Sequence, residues 1–168
     1  MDADWSVELG AEDPTLAVPW ASDDGSLRYF DLRRHPELLL YVDEAASHRE
    51  LGEFLATVNS EHSRLQSAKC DAWNSRQLGE AEAIYGATVK FCSYVDLFFA
   101  DPAVRGDFAL HEEFAKRLTA LLTRAPQISA VAEFIVRRAY YDPDAVEGYY
   151  YTFELAGYGD DDEETKKH

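Results

Sequence analysis

Residues 88–99 read TVKFCSYVDLFF, and this stretch decides the fold class. β-Branched and aromatic residues dominate it, which suits the half-buried, pleated surface of a strand. Alternation divides it into two faces. Val89, Phe91, Val95, Leu97 and Phe99 share one face, and Thr88, Lys90, Cys92, Tyr94, Asp96 and Phe98 share the other. The first set is expected to meet helices and the second to line an open sheet face. Asp101-Pro102 ends the strand.

Toward the C-terminus, Phe108, Leu110, Phe114, Leu118, Leu121 and Leu122 fall on one stripe of an amphipathic helix. Asp107 suits its N-cap, Glu112 and Glu113 suit its early turns, and Pro126 marks a stop. Residues 131–141 and 149–158 read as two strands separated by a turn at Asp142-Pro143-Asp144. Toward the N-terminus, residues 74–86 read as a long loop or short helical excursion, and 65–73 as a strand of modest alternation. Leu51, Phe54, Leu55 and Val58 sit at i, i+3, i+4 and i+7 of a helix. Before it, Pro36 opens a helical turn carrying 38–42. The turn Asp23-Asp24-Gly25 leads into a strand at 26–32.

The resulting order contains β-α-β-β-α-β, the split βαβ or ferredoxin-like pattern, with one strand added. The expected fold is a single α+β domain over residues 1–168. Its antiparallel sheet has four to five strands, with two helices on one face. Residues 1–25 carry seven acids and no base, with Trp5, Leu16, Val18 and Trp20 interspersed, so they read as an irregular acidic arm packed on the body. Residues 160–164 are five consecutive acids, so 160–168 reads as a solvated, frayed tail.

Composition narrows the function. The chain has 168 residues, 46% of them hydrophobic and 29% charged, enough to bury roughly 70% of the unfolded surface. Its 32 acids against 16 Lys plus Arg leave a formal net charge of -16. Such a surface repels phosphate backbones and anionic lipid, which argues against nucleic-acid and membrane-surface binding. No apolar run approaches the ~18 residues of a span, and the run at 94–100 is broken by Asp96. The start, Met1-Asp2-Ala3-Asp4, lacks the basic and apolar regions of a secretory signal. Cys70 and Cys92 form no CxxC spacing, so neither a disulfide framework nor a zinc site is indicated. The default compartment is the cytoplasm.

Motifs with a mechanism are missing: there is no GxGxxG, P-loop or GxSxG. His111-Glu112-Glu113 is not HExxH and reads as surface helix. His48 and His62 lie in polar contexts without ligand-spaced partners. No metal or cofactor is expected. The candidate site is therefore the open sheet face, which parity assembles from Lys69, Asp71, Trp73, Lys90, Cys92, Tyr94, Asp96, Arg137, Tyr150 and Glu154. An assumed register sets Asp71 near Lys90, Lys69 near Cys92 and Arg137 within reach of Glu154. It also turns Cys70 and Cys92 to opposite faces. Asp71 with Asp96 is the candidate acid/base pair, and Cys92 beside a lysine the candidate nucleophile or inert thiol. Tyrosine and tryptophan on this face suit an interface as well as a pocket. The leading expectation is a non-enzymatic protein that self-associates through this face as a homodimer or meets another protein there. The alternative is a small-molecule-binding protein or enzyme with a cleft on the same face.

Overall fold

A computed structural model describes residues 1–168 apart from 77, 80–83, 126, 143, 162–164 and 166–168. The chain is α+β. Its strands are β1 (Asp2–Glu8), β2 (Thr15–Val18), β3 (Leu65–Ser75), β4 (Val89–Phe99), β5 (Ala130–Tyr141) and β6 (Val146–Gly159). Its α-helices are α1 (Asp43–Ser47), α2 (Arg49–Val58) and α3 (Phe108–Leu122). The six strands make one mixed sheet in the order β1-β5-β6-β4-β3, with β2 also on β5.

The sheet therefore differs from the expected antiparallel one of four to five strands. Both β1 and β2 run parallel to β5, pairing its two halves in succession. The acidic arm is thus one edge strand interrupted at residues 9–14, where the Arg138 guanidinium bonds to the carbonyls of Leu9 and Gly10. Trp5 and Val7 lie opposite Phe134 and Val136, so the apolar residues of the arm extend the face that meets the helices. With that edge taken, residues 26–32 form no strand. Asp24 accepts bonds from Ser22 Oγ, Ser26 N and Ser26 Oγ, and Gly25 has φ 71°. This tight turn folds Tyr29 back onto Trp20, whose carbonyl accepts the Tyr29 N–H at 2.8 Å. The split unit β4-α3-β5, with β6 between its parallel strands, survives; the first ferredoxin-like unit does not.

The remaining topology repeats. Units α2-β3-β4 and α3-β5-β6 each place a helix before an antiparallel hairpin, and the hairpins meet through β4 and β6. No sequence motif marks this duplication. Both helices pack on one face over a shared core that includes Leu51, Leu55, Val95, Phe99, Phe134 and Tyr151.

Helix α3 begins where expected, with Asp107 accepting the Leu110 N–H at 3.1 Å. Its most buried stripe is His111, Ala115 and Thr119, not the large apolar residues. Ala115 and His111 are both fully covered, so the helix backbone rides close to the sheet and Phe108, Phe114 and Leu118 pack to its sides. His111 is accordingly no surface residue. Its Nδ1 lies 2.7 Å from the Asp107 carbonyl, and its ring contacts Phe99, Tyr149 and Tyr151. Burial pulls its pKa below the ordinary 6.5, opposed by carbonyl hydrogen bonding. A depressed histidine pKa means that the unfolded chain takes up the proton first. Stability from this group is present above about pH 6.5 and is lost as pH falls below it. The variant His111→Phe should flatten that acid limb in urea titrations across this range. An unchanged slope would show that His111 does not carry it.

The pairing of β3 with β4 is offset from the assumed register. Lys69 faces Asp96, Asp71 faces Tyr94 and Trp73 faces Cys92, after a bulge between Ser67 and Lys69. Asp71 is thus not beside Lys90, nor Lys69 beside Cys92. Arg137 pairs with Tyr150, and Glu154 with Glu133, so Arg137 and Glu154 are not cross-strand neighbours. Cys70 and Cys92 are free thiols on opposite faces, Cys70 opposite Val95 on the helix side and Cys92 opposite Trp73 on the other. In the tail, Thr165 is only 2% exposed. It sits against Gly157, where a Cβ would collide with the Thr165 carbonyl oxygen. The tail is therefore not frayed at that residue; 162–164 and 166–168 fall outside the described residues, as do Pro126 and Pro143. Among the described residues no helix is long and apolar enough to cross a membrane.

Candidate functional site

The face of the sheet away from the helices carries all ten side chains singled out from the sequence, arranged in cross-strand rows. One row reads Lys69, Asp96, Thr152, Ile135 and Ser6 across β3, β4, β6, β5 and β1. The next reads Asp71, Tyr94, Glu154, Glu133 and Asp4 in the same strand order. Toward one end lie Phe98, Tyr150, Arg137 and Glu8, and toward the other Trp73, Cys92 and Lys90.

Both ends are partly closed. The segment after β2 lays Trp20 and Tyr29 over Leu16, Val18, Phe98, Tyr141 and Tyr150, a second small core. The Trp20 indole N–H donates to the Ala68 carbonyl at 2.7 Å, and Lys69 Nζ sits 5.4 Å from the Trp20 ring centre. Tyr150 is buried beneath this cover and is not part of the open surface. At the other end Tyr85 packs edge-on to Tyr158 and donates to Asp2. Cys92 is buried too, while Trp73 is 46% exposed.

Between the covered ends runs a chain of polar contacts. Arg137 places Nη2 2.7 Å and Nε 2.8 Å from Glu8 Oε2, and its Nη1 donates to Thr152 Oγ1 at 2.8 Å. The Thr152 hydroxyl in turn donates to Asp96 Oδ1 at 2.8 Å. Asp96 is only 6% exposed. Burial pushes its pKa up to about 6, against the Thr152 hydrogen bond and the charges of Lys69 and Arg137, with Glu154 adding to the rise. Burial, followed by the charges of Asp96 and Asp71, likewise pushes Tyr94 up to about 12. Cys70, on the helix side, is pushed up to about 12 mainly by burial, so it is a packing thiol.

The row beside Asp96 is acidic. Asp4, Glu133, Glu154 and Asp71 stand on four of its five strands with Tyr94 among them. Glu133 and Glu154 are directly opposed, an unfavourable like-charge pair. Ser6 Oγ donates to Glu133 at 2.7 Å. Among the described residues none of these four carboxylates has an ion-pair partner. Among the same residues no three His, Cys, Asp or Glu side chains gather as a metal-holding group.

Parity along each strand was the signal that found this face. It missed Glu8, Asp4 and Ser6, because β1 read as irregular, and Thr152, because a threonine in a strand is ordinary. It also missed the opposite face. There, α2 leaves an apolar cavity of about 240 Å³ above β4 and β6, and His48 lines it with Phe91 and Phe153. His48 is thus not in the polar context its neighbours Ser47 and Arg49 imply.

Comparison with protein-family models, with curated proteins and with solved structures returns no match, so the chemistry rests on the geometry of these residues.

Proposed function

We propose that the protein binds a small organic cation with several amino groups on the polar face of its sheet. The row Asp71, Glu154, Glu133 and Asp4 carries this reading. Adjacent strands are ~4.8 Å apart, so Glu154, Glu133 and Asp4 stand in line at that interval, and Asp71 lies beyond Tyr94 at twice it. A polyamine repeats its ammonium groups at separations of the same order. Each ammonium placed on the row relieves repulsion that the fold otherwise carries, above all between Glu133 and Glu154. Trp73 and Tyr94 offer ring faces beside the row for the cation. A net charge of -16 draws cations to the whole molecule and speeds encounter.

Self-association through this face, as a homodimer, is the weaker reading. A two-fold contact would bring acidic rows together, and the aromatic end of the face is already covered by Trp20 and Tyr29. No enzymatic step is assigned.

Spermidine titrated at low salt in a calorimeter tests the proposal. Glu154→Gln and Glu133→Gln should each weaken binding about threefold, and Glu12→Gln, a charge change in the 9–14 loop, should not. Equal weakening by all three variants would reduce the effect to net charge and sink the site. Light scattering on the same samples should give a monomer; a dimer that dissociates on Trp73→Glu would favour the interface instead.

A further inference from the structure

We infer that the cavity on the helix face is a second, independent binding site, for an uncharged bicyclic aromatic molecule bearing one hydrogen-bond donor. The cavity exists because the layer of helices is shorter than the sheet. α2 spans ten residues, a rise of roughly 15 Å, whereas β6 spans fourteen and β4 eleven. α2 covers the seam between the two hairpins near Val95 and Phe153, and the seam continues beyond it along Ser93, Leu155 and Gly157. Thr165, held against Gly157, closes the far side.

Size, shape and polarity select the occupant. The space is about 240 Å³. A dry apolar cavity of about 150 Å³ takes benzene, so this one admits a ring system larger than one benzene ring. Phe54, Phe91, Phe153 and the His48 imidazole supply aromatic walls, His48 and Phe91 with ring centres 5.0 Å apart. Flat ligands fit such walls by offset or edge contacts. One polar atom is left over. His48 Nδ1 is buried and has no hydrogen-bond partner among the described residues. That nitrogen does not border the open space with the ring as it stands; a turn of the lining imidazole would be needed for it, in the Nε2–H tautomer, to accept an N–H or O–H from the ligand. Exposed Glu50 on the lining and the net charge of -16 disfavour a carboxylate-bearing ligand. Indole has this size, flatness and single donor.

The test is calorimetric titration of the full chain with indole and with 1-methylindole, which lacks the N–H. Indole should bind the wild type with a Kd on the order of 100 µM, and 1-methylindole at least fivefold more weakly. Ser93→Phe, which fills the floor, should abolish binding of both. In His48→Phe the two ligands should bind alike, and as weakly as 1-methylindole binds the wild type. No heat with indole up to its solubility limit would overturn the proposal. So would Ser93→Phe binding as the wild type does, or wild type that fails to distinguish the two ligands. Should Ser93→Phe not fold, the His48→Phe comparison decides by itself. Spermidine binding on the other face should be unaffected by either variant, so the two sites fail or stand separately.

Discussion

Asp96→Asn should stabilise the protein by up to about 3 kcal/mol near neutral pH and leave stability below about pH 4 unchanged. The carboxyl is buried on β4, an interior strand of the sheet, with a pKa raised from 3.8 to about 6. A raised carboxyl pKa means that the native state holds the proton more tightly than the unfolded chain does. Its stabilising contribution is complete below about pH 3.8 and is lost as pH rises through about 6. Above that, the ionised carboxylate is buried, with Thr152 donating to it and with Lys69 and Arg137 as partial compensation. Asparagine presents the same acceptor oxygen to Thr152 and carries no charge to desolvate. Urea midpoints of both proteins between pH 4 and 7.5 measure the difference. Should Asp96→Asn instead destabilise at pH 7.5, the carboxylate is held ionised by its basic neighbours and the direction of the shift is wrong. A stabilised variant with weakened spermidine binding would show that Asp96 is retained for binding at the expense of stability.

Phe99→Ala is expected to lower stability by about 3–5 kcal/mol, enough to unfold much of the population at 37 °C if the wild type is of ordinary stability. Phe99 is 1% exposed at the end of β4. Its ring meets His111 at 4.7 Å, Phe114 at 5.3 Å and Tyr151 at 5.9 Å, each edge to face. Truncation therefore removes transfer energy, three aromatic contacts and the close packing that lets α3 ride near the sheet. It also opens space beside the buried Nε2 of His111. Phe99→Leu keeps most of the volume and should lose about 1–2 kcal/mol. Chemical denaturation of the pair checks the ratio. Equal small losses would mean that the cluster re-collapses around the missing ring.

Local signals were enough where one side chain or one period decides the outcome. The strand at 88–99 forms as β4 because alternation of apolar residues admits only one face inward. Asp107 caps α3 because its carboxylate reaches a free amide within the same turn. Parity with the apolar side turned inward assigns the faces of each strand by itself, so Lys69, Asp71, Tyr94, Asp96 and Glu154 fall on one face even though the assumed register is offset by an even number of residues. The acidic balance and the α+β class follow from composition and periodicity alone.

What required the tertiary structure were the relations between distant segments. Register in β3 and β4 depends on a bulge between Ser67 and Lys69 and on a long connection, neither of which leaves a pattern in either strand. The N-terminal arm joins β5 in parallel because that edge of the sheet was open to it, while its acids and prolines read locally as irregular. Tyr150 is covered, and His111 buried, by residues far away in the chain, since burial is a property of what packs on a side chain and not of its neighbours in sequence. The cavity beneath α2 arises from a mismatch between helix length and strand length, visible only once both layers are assembled. Periodicity along the chain determined which side of each element is apolar; only assembly in three dimensions decided which of those sides meet, because that choice is made by the summed burial of all layers at once.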